Sequence, residues 1–183
     1  MVLLTDDGTR ILRPSEFDAI VRGSKASRLP GSREYHILLK VLLYSGLHYS
    51  EAQLFQRHPS WFANGSIHVV VATGDAPDRF IKLPPKALDP LSHFFKARRL
   101  PSRNAWVKNL RHWAKAGGIP DEGLNVKTAR KTWVAWLLTT YEQKENREAI
   151  LDTFGNIQFN FTDRISFTPA DKQAIRWHTE RWL

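Results

Sequence analysis

The chain has 183 residues, 42% of them hydrophobic, enough for one substantial core and short for two full domains. Lys and Arg outnumber Asp and Glu by 27 to 18, giving a formal charge of +9 and a pI near 10, so polyanions lead the classes of partner. The absence of cysteine excludes disulfides, thiol nucleophiles and thiolate metal sites. The seven histidines show no ligand spacing, so no metal or other cofactor is expected. No apolar run approaches a membrane span, and the stretch from Met1 to Asp7 lacks the pattern of a signal peptide. An intracellular protein without a membrane partner is the expectation.

In chain order, Pro14-Ser15-Glu16-Phe17 opens a short helix with Ser15 as its N-cap, followed by a polar connection over residues 23–32. Over residues 34–45 the apolar positions Ile37, Leu38, Val41, Leu42 and Tyr44 form a helical stripe that Gly46 ends. Leu47 and His48 make a tight connection, and Ser50-Glu51-Ala52-Gln53 has the form of a capping box for a helix to about Arg57. The β-branched run Ser66-Ile67-His68-Val69-Val70-Val71 and the alternating Arg79-Phe80-Ile81-Lys82-Leu83 predict a β-hairpin, the one clear β unit. Helices resume over residues 87–96 and again after Ser102-Arg103-Asn104, where Trp106, Leu110 and Trp113 share a face that Gly117-Gly118-Ile119-Pro120 terminates. A helix over residues 128–141 follows. Thr168-Pro169 then supplies an N-cap and a proline at N1 for a last helix ending in Trp182.

The most informative segment is Asn125-Val126-Lys127-Thr128-Ala129-Arg130-Lys131-Thr132-Trp133, because it opens an apolar helix with three cations. Lys127 and Arg130 are three apart, so the spacing predicts one shared face able to grip a single phosphate, while Trp133, Trp136 and Leu137 turn to a core. Regular spacing likewise makes Trp106 and Trp113 core residues rather than base-stacking platforms. Lys108, Arg111 and Lys115, with Arg98 and Arg99, form either a strip that tracks a nucleic-acid backbone or solvated helix faces. Arg79 and Lys82 alternate with Phe80, so they face either DNA or water, with water slightly favoured.

The order of these segments resembles the catalytic domain of the tyrosine recombinases, the phage-integrase superfamily, and within it the compact single-domain integrases of archaeal viruses and proviruses. Leu42-Leu43-Tyr44-Ser45-Gly46-Leu47-His48-Tyr49-Ser50-Glu51-Ala52 is similar to the family's first box, usually Thr-Gly-Leu-Arg-x-Ser-Glu; Lys127-Thr128-Ala129-Arg130-Lys131-Thr132-Trp133 is similar to the second. Ser60-Trp61-Phe62 and Arg79-Phe80-Ile81-Lys82-Leu83 add to a likeness that covers almost the whole chain. It implies a mainly α-helical (α+β) fold with a small antiparallel sheet, in one domain over residues 1–183 and without a separate N-terminal clamping domain. It also implies double-stranded DNA as partner, itself or an active recombinase as a further one, a role in DNA integration or recombination, and a cytoplasmic, nucleoid-associated location.

In that family two arginines clamp the scissile phosphate, a hairpin lysine protonates the leaving oxygen, and a tyrosine attacks phosphorus. The resemblance carries these roles to His48, Lys127, Arg130, Asn156 and Phe161, and several are chemically weakened. His48 stands in place of the first arginine and lacks its fixed fork of donors. Ala72-Thr73-Gly74-Asp75 offers no hairpin lysine, and Lys82 is a poor substitute; Asn156 replaces the histidine of the Gly-His turn. Between Ile157 and Ser166 there is no tyrosine, the nearest candidates being Phe161 and Thr162, and all four tyrosines of the chain precede Gly155. A phenyl ring cannot attack phosphorus. The implied activity is therefore DNA binding through Lys127, Arg130, Lys131, Arg79, Lys82, Lys108 and Arg111 without strand cleavage. The alternatives are an active recombinase with an atypical or partner-supplied nucleophile, and a nonproductive subunit that docks through the segment around Ile175, Trp177 and Trp182.

Overall fold

The computed structural model describes residues 1–70, 78–155 and 165–183. Among these the chain is mainly helical, with two small antiparallel sheets. Strands β1 (Leu3–Leu4) and β2 (Arg10–Ile11) form a short ribbon ahead of α1 (Pro14–Ala26), α2 (Ser32–Ser45) and α3 (Tyr49–Arg57). Strands β3 (Phe62–Ala63), β4 (Ser66–Val69) and β5 (Arg79–Lys82) form a three-stranded meander with Ile67 opposite Ile81 and His68 opposite Phe80. The remaining helices are α4 (Leu88–Phe94), α5 (Arg103–Ala116), α6 (Thr128–Thr140), α7 (Lys144–Phe154) and α8 (Pro169–Thr179).

Helix α6 is the centre of the molecule. From Thr128 to Leu138 only Lys131 escapes burial, and α2, α7, α8 and β2 pack around it. A helix apolar on nearly every side must be surrounded, and its polar exceptions must find partners. They do: Thr132 Oγ1 accepts the Leu12 N–H at 3.0 Å, and Trp136 Nε1 donates to the Leu12 carbonyl at 2.9 Å. Trp106 and Trp113 pack edge to face with centroids 5.6 Å apart and Tyr35 against both, and Trp133 and Trp136 are fully buried, so all four tryptophans of α5 and α6 are core, as their spacing predicts. Helices α1 and α5 cross closely because Gly23 and Gly117 lack side chains. A Cβ on Gly23 would lie 2.0 Å from the Trp113 carbonyl oxygen.

Several boundaries differ from the expectation. Helix α1 is capped at Arg13, with Pro14 at N1 and Glu16 accepting the Arg13 N–H at 2.9 Å; Ser15 lies inside the helix. Helix α3 starts two residues early, so the reciprocal residues are His48 and Glu51 rather than Ser50 and Gln53. Helix α8 ends at Thr179, short of Trp182. The β1–β2 ribbon, β3 and α7 are additions to the predicted elements.

Candidate nucleic-acid interface

Arg130 lies on the inward side of α6, 5% exposed, and bridges the ends of two other helices. Its Nη1 donates to the carbonyl of Gly46, which closes α2, at 2.6 Å, and its Nη2 donates to the carbonyl of Phe154, the last residue of α7. Gly46 adopts a left-handed φ of 57°, and a Cβ there would strike the Phe154 ring at 2.5 Å, so the turn that presents this carbonyl requires glycine. Burial and the charge of Arg79 push the guanidinium down to about 10, which leaves it cationic at neutral pH.

Beside it, His48 caps α3 and donates its backbone N–H to Glu51 Oε2 at 2.9 Å. The same oxygen accepts Arg79 Nη2 at 2.6 Å. Burial alone would raise the Glu51 carboxyl, but the Arg79 hydrogen bond and charge, with the His48 N–H, hold it below its usual range. His48 is held below the ordinary imidazole range by loss of solvent first, then by Arg130, Arg79 and Arg103 against the opposing pull of Glu51. The result is an imidazole that feels one carboxylate and three guanidinium groups. Arg79 Nε is buried without a partner among the described residues, a donor still unspent in this pocket.

Not every expected residue joins. Lys127 and Arg130, expected to grip one phosphate together, have different partners: Arg130 is turned inward, while Lys127 stands at the cap of α6 with its ammonium 3.3 Å from Asp7. Lys131 reaches the other oxygen of Asp7 at 2.8 Å. Arg79, slightly favoured to face water, is only 18% exposed and faces Glu51, because it shares the inward face of β5 with the fully buried Ile81. Lys82 lies on the opposite, exposed face beside Phe80. Asn156 and Phe161 lie outside the described residues. Sequence reasoning missed Glu51 and Arg103 as functional residues; the period of two on β5, with Ile81 inward, is the signal that could have placed Arg79.

The exposed face of α5 carries a second basic surface. Asn104, Lys108, Arg111, His112 and Lys115, spaced three and four apart, line a cavity of about 620 Å³. Its one acid, Asp121, pairs with Lys115 at 3.0 Å. Arg103, which acts on His48, begins the same helix.

No tyrosine hydroxyl is offered to the Arg130 pocket. Tyr44 pairs with His178 Nδ1 at 2.9 Å, Tyr49 donates to the Pro101 carbonyl at 2.8 Å and Tyr141 to the Thr179 carbonyl at 2.9 Å, while Tyr35 is buried between Trp106 and Trp113. Burial raises Tyr44 and Tyr49 above the ordinary phenol range, the wrong direction for a nucleophile. Of the C-terminal residues suggested as a docking segment, Ile175 and Trp182 are packed within the chain and only Trp177 is exposed. Among the described residues no helix is long and apolar enough to cross a membrane, and no three His, Asp or Glu side chains gather as metal ligands. Compared with protein-family models, curated proteins and solved structures, the chain matches none of them.

Proposed function

We propose that this chain binds double-stranded DNA through its phosphate backbone, in a manner resembling an integrase catalytic domain, and does not cleave it. The observation that carries this reading is the gathering of Arg79, Arg130 and Glu51 about His48, whose imidazole also feels the charge of Arg103. Guanidinium groups match phosphate oxygens in geometry and stay charged at every physiological pH. The basic face of α5, a helix that begins at Arg103, supplies a second surface running roughly 18 Å over the twelve residues from Asn104 to Lys115. That length covers about five phosphates of one strand.

Strand cleavage by this class of chemistry forms a bond from a side-chain oxygen to phosphorus and releases a deoxyribose hydroxyl. Three tyrosine hydroxyls are committed to other partners, the fourth is buried between tryptophans, and phenylalanine stands at position 161. The chain thus acts in, or regulates, DNA integration or recombination by occupying DNA. Fluorescence anisotropy with a duplex oligonucleotide across a salt titration tests the first half; binding should weaken steeply as salt rises. Absence of binding at low salt, or binding indifferent to salt, rules the reading out. A nicked suicide duplex followed by denaturing electrophoresis tests the second half. No covalent adduct is expected, and one that survives denaturation overturns the claim of inactivity.

A further inference from the structure

Two lysines at the start of α6 converge on a carboxylate from the opposite end of the sequence. Lys127 Nζ lies 3.3 Å from Asp7 Oδ2, and Lys131 Nζ lies 2.8 Å from Asp7 Oδ1. Asp7 sits in the turn between β1 and β2, where Thr5 Oγ1 and the Thr9 N–H also donate to Oδ1, at 2.5 and 3.2 Å. The turn is closed by the Gly8 N–H to the Thr5 carbonyl at 2.9 Å and tied to the segment before α6 by Asn125 Nδ2 donating to Thr9 Oγ1 at 3.2 Å. A monoanion with two oxygens therefore sits before two ammonium groups, a hydroxyl and a backbone N–H. A phosphodiester offers the same charge and the same pair of oxygens.

The contact is poised to exchange. Asp7 and Lys127 are 42% and 60% exposed, so solvent screens their attraction, and pairs of this kind contribute little to stability. Lys131, 14% exposed, is held in place against the helix. Hydrogen bonds from Lys131 and Thr5 keep the Asp7 carboxyl far below the usual carboxylate range, so it remains an anion wherever DNA is bound.

We infer that Asp7 is an internal stand-in for a nucleic-acid phosphate: duplex DNA displaces it from Lys127 and Lys131, and until then the β1–β2 turn holds down the affinity of this end of α6. The inference rests on the DNA-binding reading and adds to it a phosphate site and a brake on that site. Asp7→Asn is compared with Asp6→Asn, which removes the same charge from the neighbouring exposed residue, in anisotropy titrations of duplex DNA over a range of salt. Asp7→Asn should bind roughly three- to tenfold more tightly than the unmodified chain, with a salt slope steeper by about one to two. Asp6→Asn should change affinity by less than about twofold, the scale of a screened charge without a partner. Adding Lys127→Gln and Lys131→Gln to Asp7→Asn should erase the gain. Asp7→Ser, which keeps an acceptor for the Thr9 N–H, is held to the same criterion should Asp7→Asn melt early. If Asp7 and Asp6 variants bind alike while the unmodified chain binds with steep salt dependence, this inference alone is overturned. If neither the unmodified chain nor Asp7→Asn binds at low salt, the DNA reading falls with it.

Discussion

The Arg130 pocket and the outer face of α5 carry the same sign of charge and use it in opposite ways. In the pocket the two buried cations are already engaged: Arg130 holds the carbonyls that end α2 and α7, and Arg79 holds Glu51. On α5, Lys108 and Arg111 stand exposed in a shallow cavity whose single acid pairs with Lys115. The first arrangement fixes geometry and the second supplies attraction. A count of basic residues near a candidate site cannot distinguish these, because buried guanidinium groups are selected by the acceptors that neutralise or hydrogen-bond them, whereas exposed ones answer to salt. The pocket is as much a joint of the fold as a receptor.

The sharpest way to break that distinction is Arg130→Ala. Removing the side chain leaves two buried helix-terminal carbonyls without their donor beside Phe154, so urea unfolding should show a loss of about 3 kcal/mol. Lys108→Gln, an exposed change on α5, should stay within about 0.5 kcal/mol. Equal effects from the two substitutions would mean that Arg130 is not a joint and that the pocket and the strip are energetically alike.

The comparison sharpens further in binding. Combining Lys108→Gln, Arg111→Gln and Lys115→Gln should leave the unfolding midpoint unchanged and reduce the DNA salt slope by about two to three, with roughly tenfold or greater loss of affinity near 0.1 M salt. Lys115 is the weakest of the three because Asp121 already occupies it. An unaltered slope would reduce the α5 face to an ordinary solvated surface and leave the pocket and the Lys127–Lys131 pair as the contacts.

Much of the fold was legible wherever local signals agreed with packing. The stripe from Ile37 to Tyr44, the glycine after Ser45, the Thr168 cap and the regular tryptophans marked α2, α5, α6 and α8. Helix α7 gave no such signal, since Ile150 and Phe154 are its only buried residues among Lys144, Glu145, Arg147 and Glu148, and contact with α6 accompanies its burial. The β1–β2 ribbon was invisible for a related reason: its strands are two residues long, and it is secured by distant partners, Arg10 N–H to the Gly123 carbonyl and the neighbouring Leu12 N–H to Thr132. At the site, the spacing of Lys127 and Arg130 gave the right helix and the wrong pairing. Lys127 is the cap, where the long side chain reaches Asp7, while Arg130 is fixed inward by carbonyls that no sequence pattern brings together. His48 was singled out by its place in a motif, but Glu51, which accepts its backbone N–H and holds Arg79, emerged only from the geometry.

The smallest expected effect concerns the one imidazole of the pocket, His48. In the free protein His48 is held below its ordinary range by loss of solvent and by Arg130, Arg79 and Arg103. A phosphate in the pocket would offset those positive charges and favour the imidazolium, so the bound form has the higher pKa and binding takes up protons. Affinity for DNA should therefore strengthen as pH falls from about 7.5 toward 5.5, by less than the roughly tenfold per pH unit that uptake of one whole proton gives. His48→Gln should flatten the profile, and His48→Arg should flatten it at the higher affinity by supplying a charge that does not titrate. Glu51 does not account for the trend, because its carboxyl is held below its usual range and stays ionised across this interval. A profile that keeps its slope in His48→Gln would place the proton uptake elsewhere and take His48 out of the phosphate pocket, leaving Arg79 and Arg103 as the groups to test there.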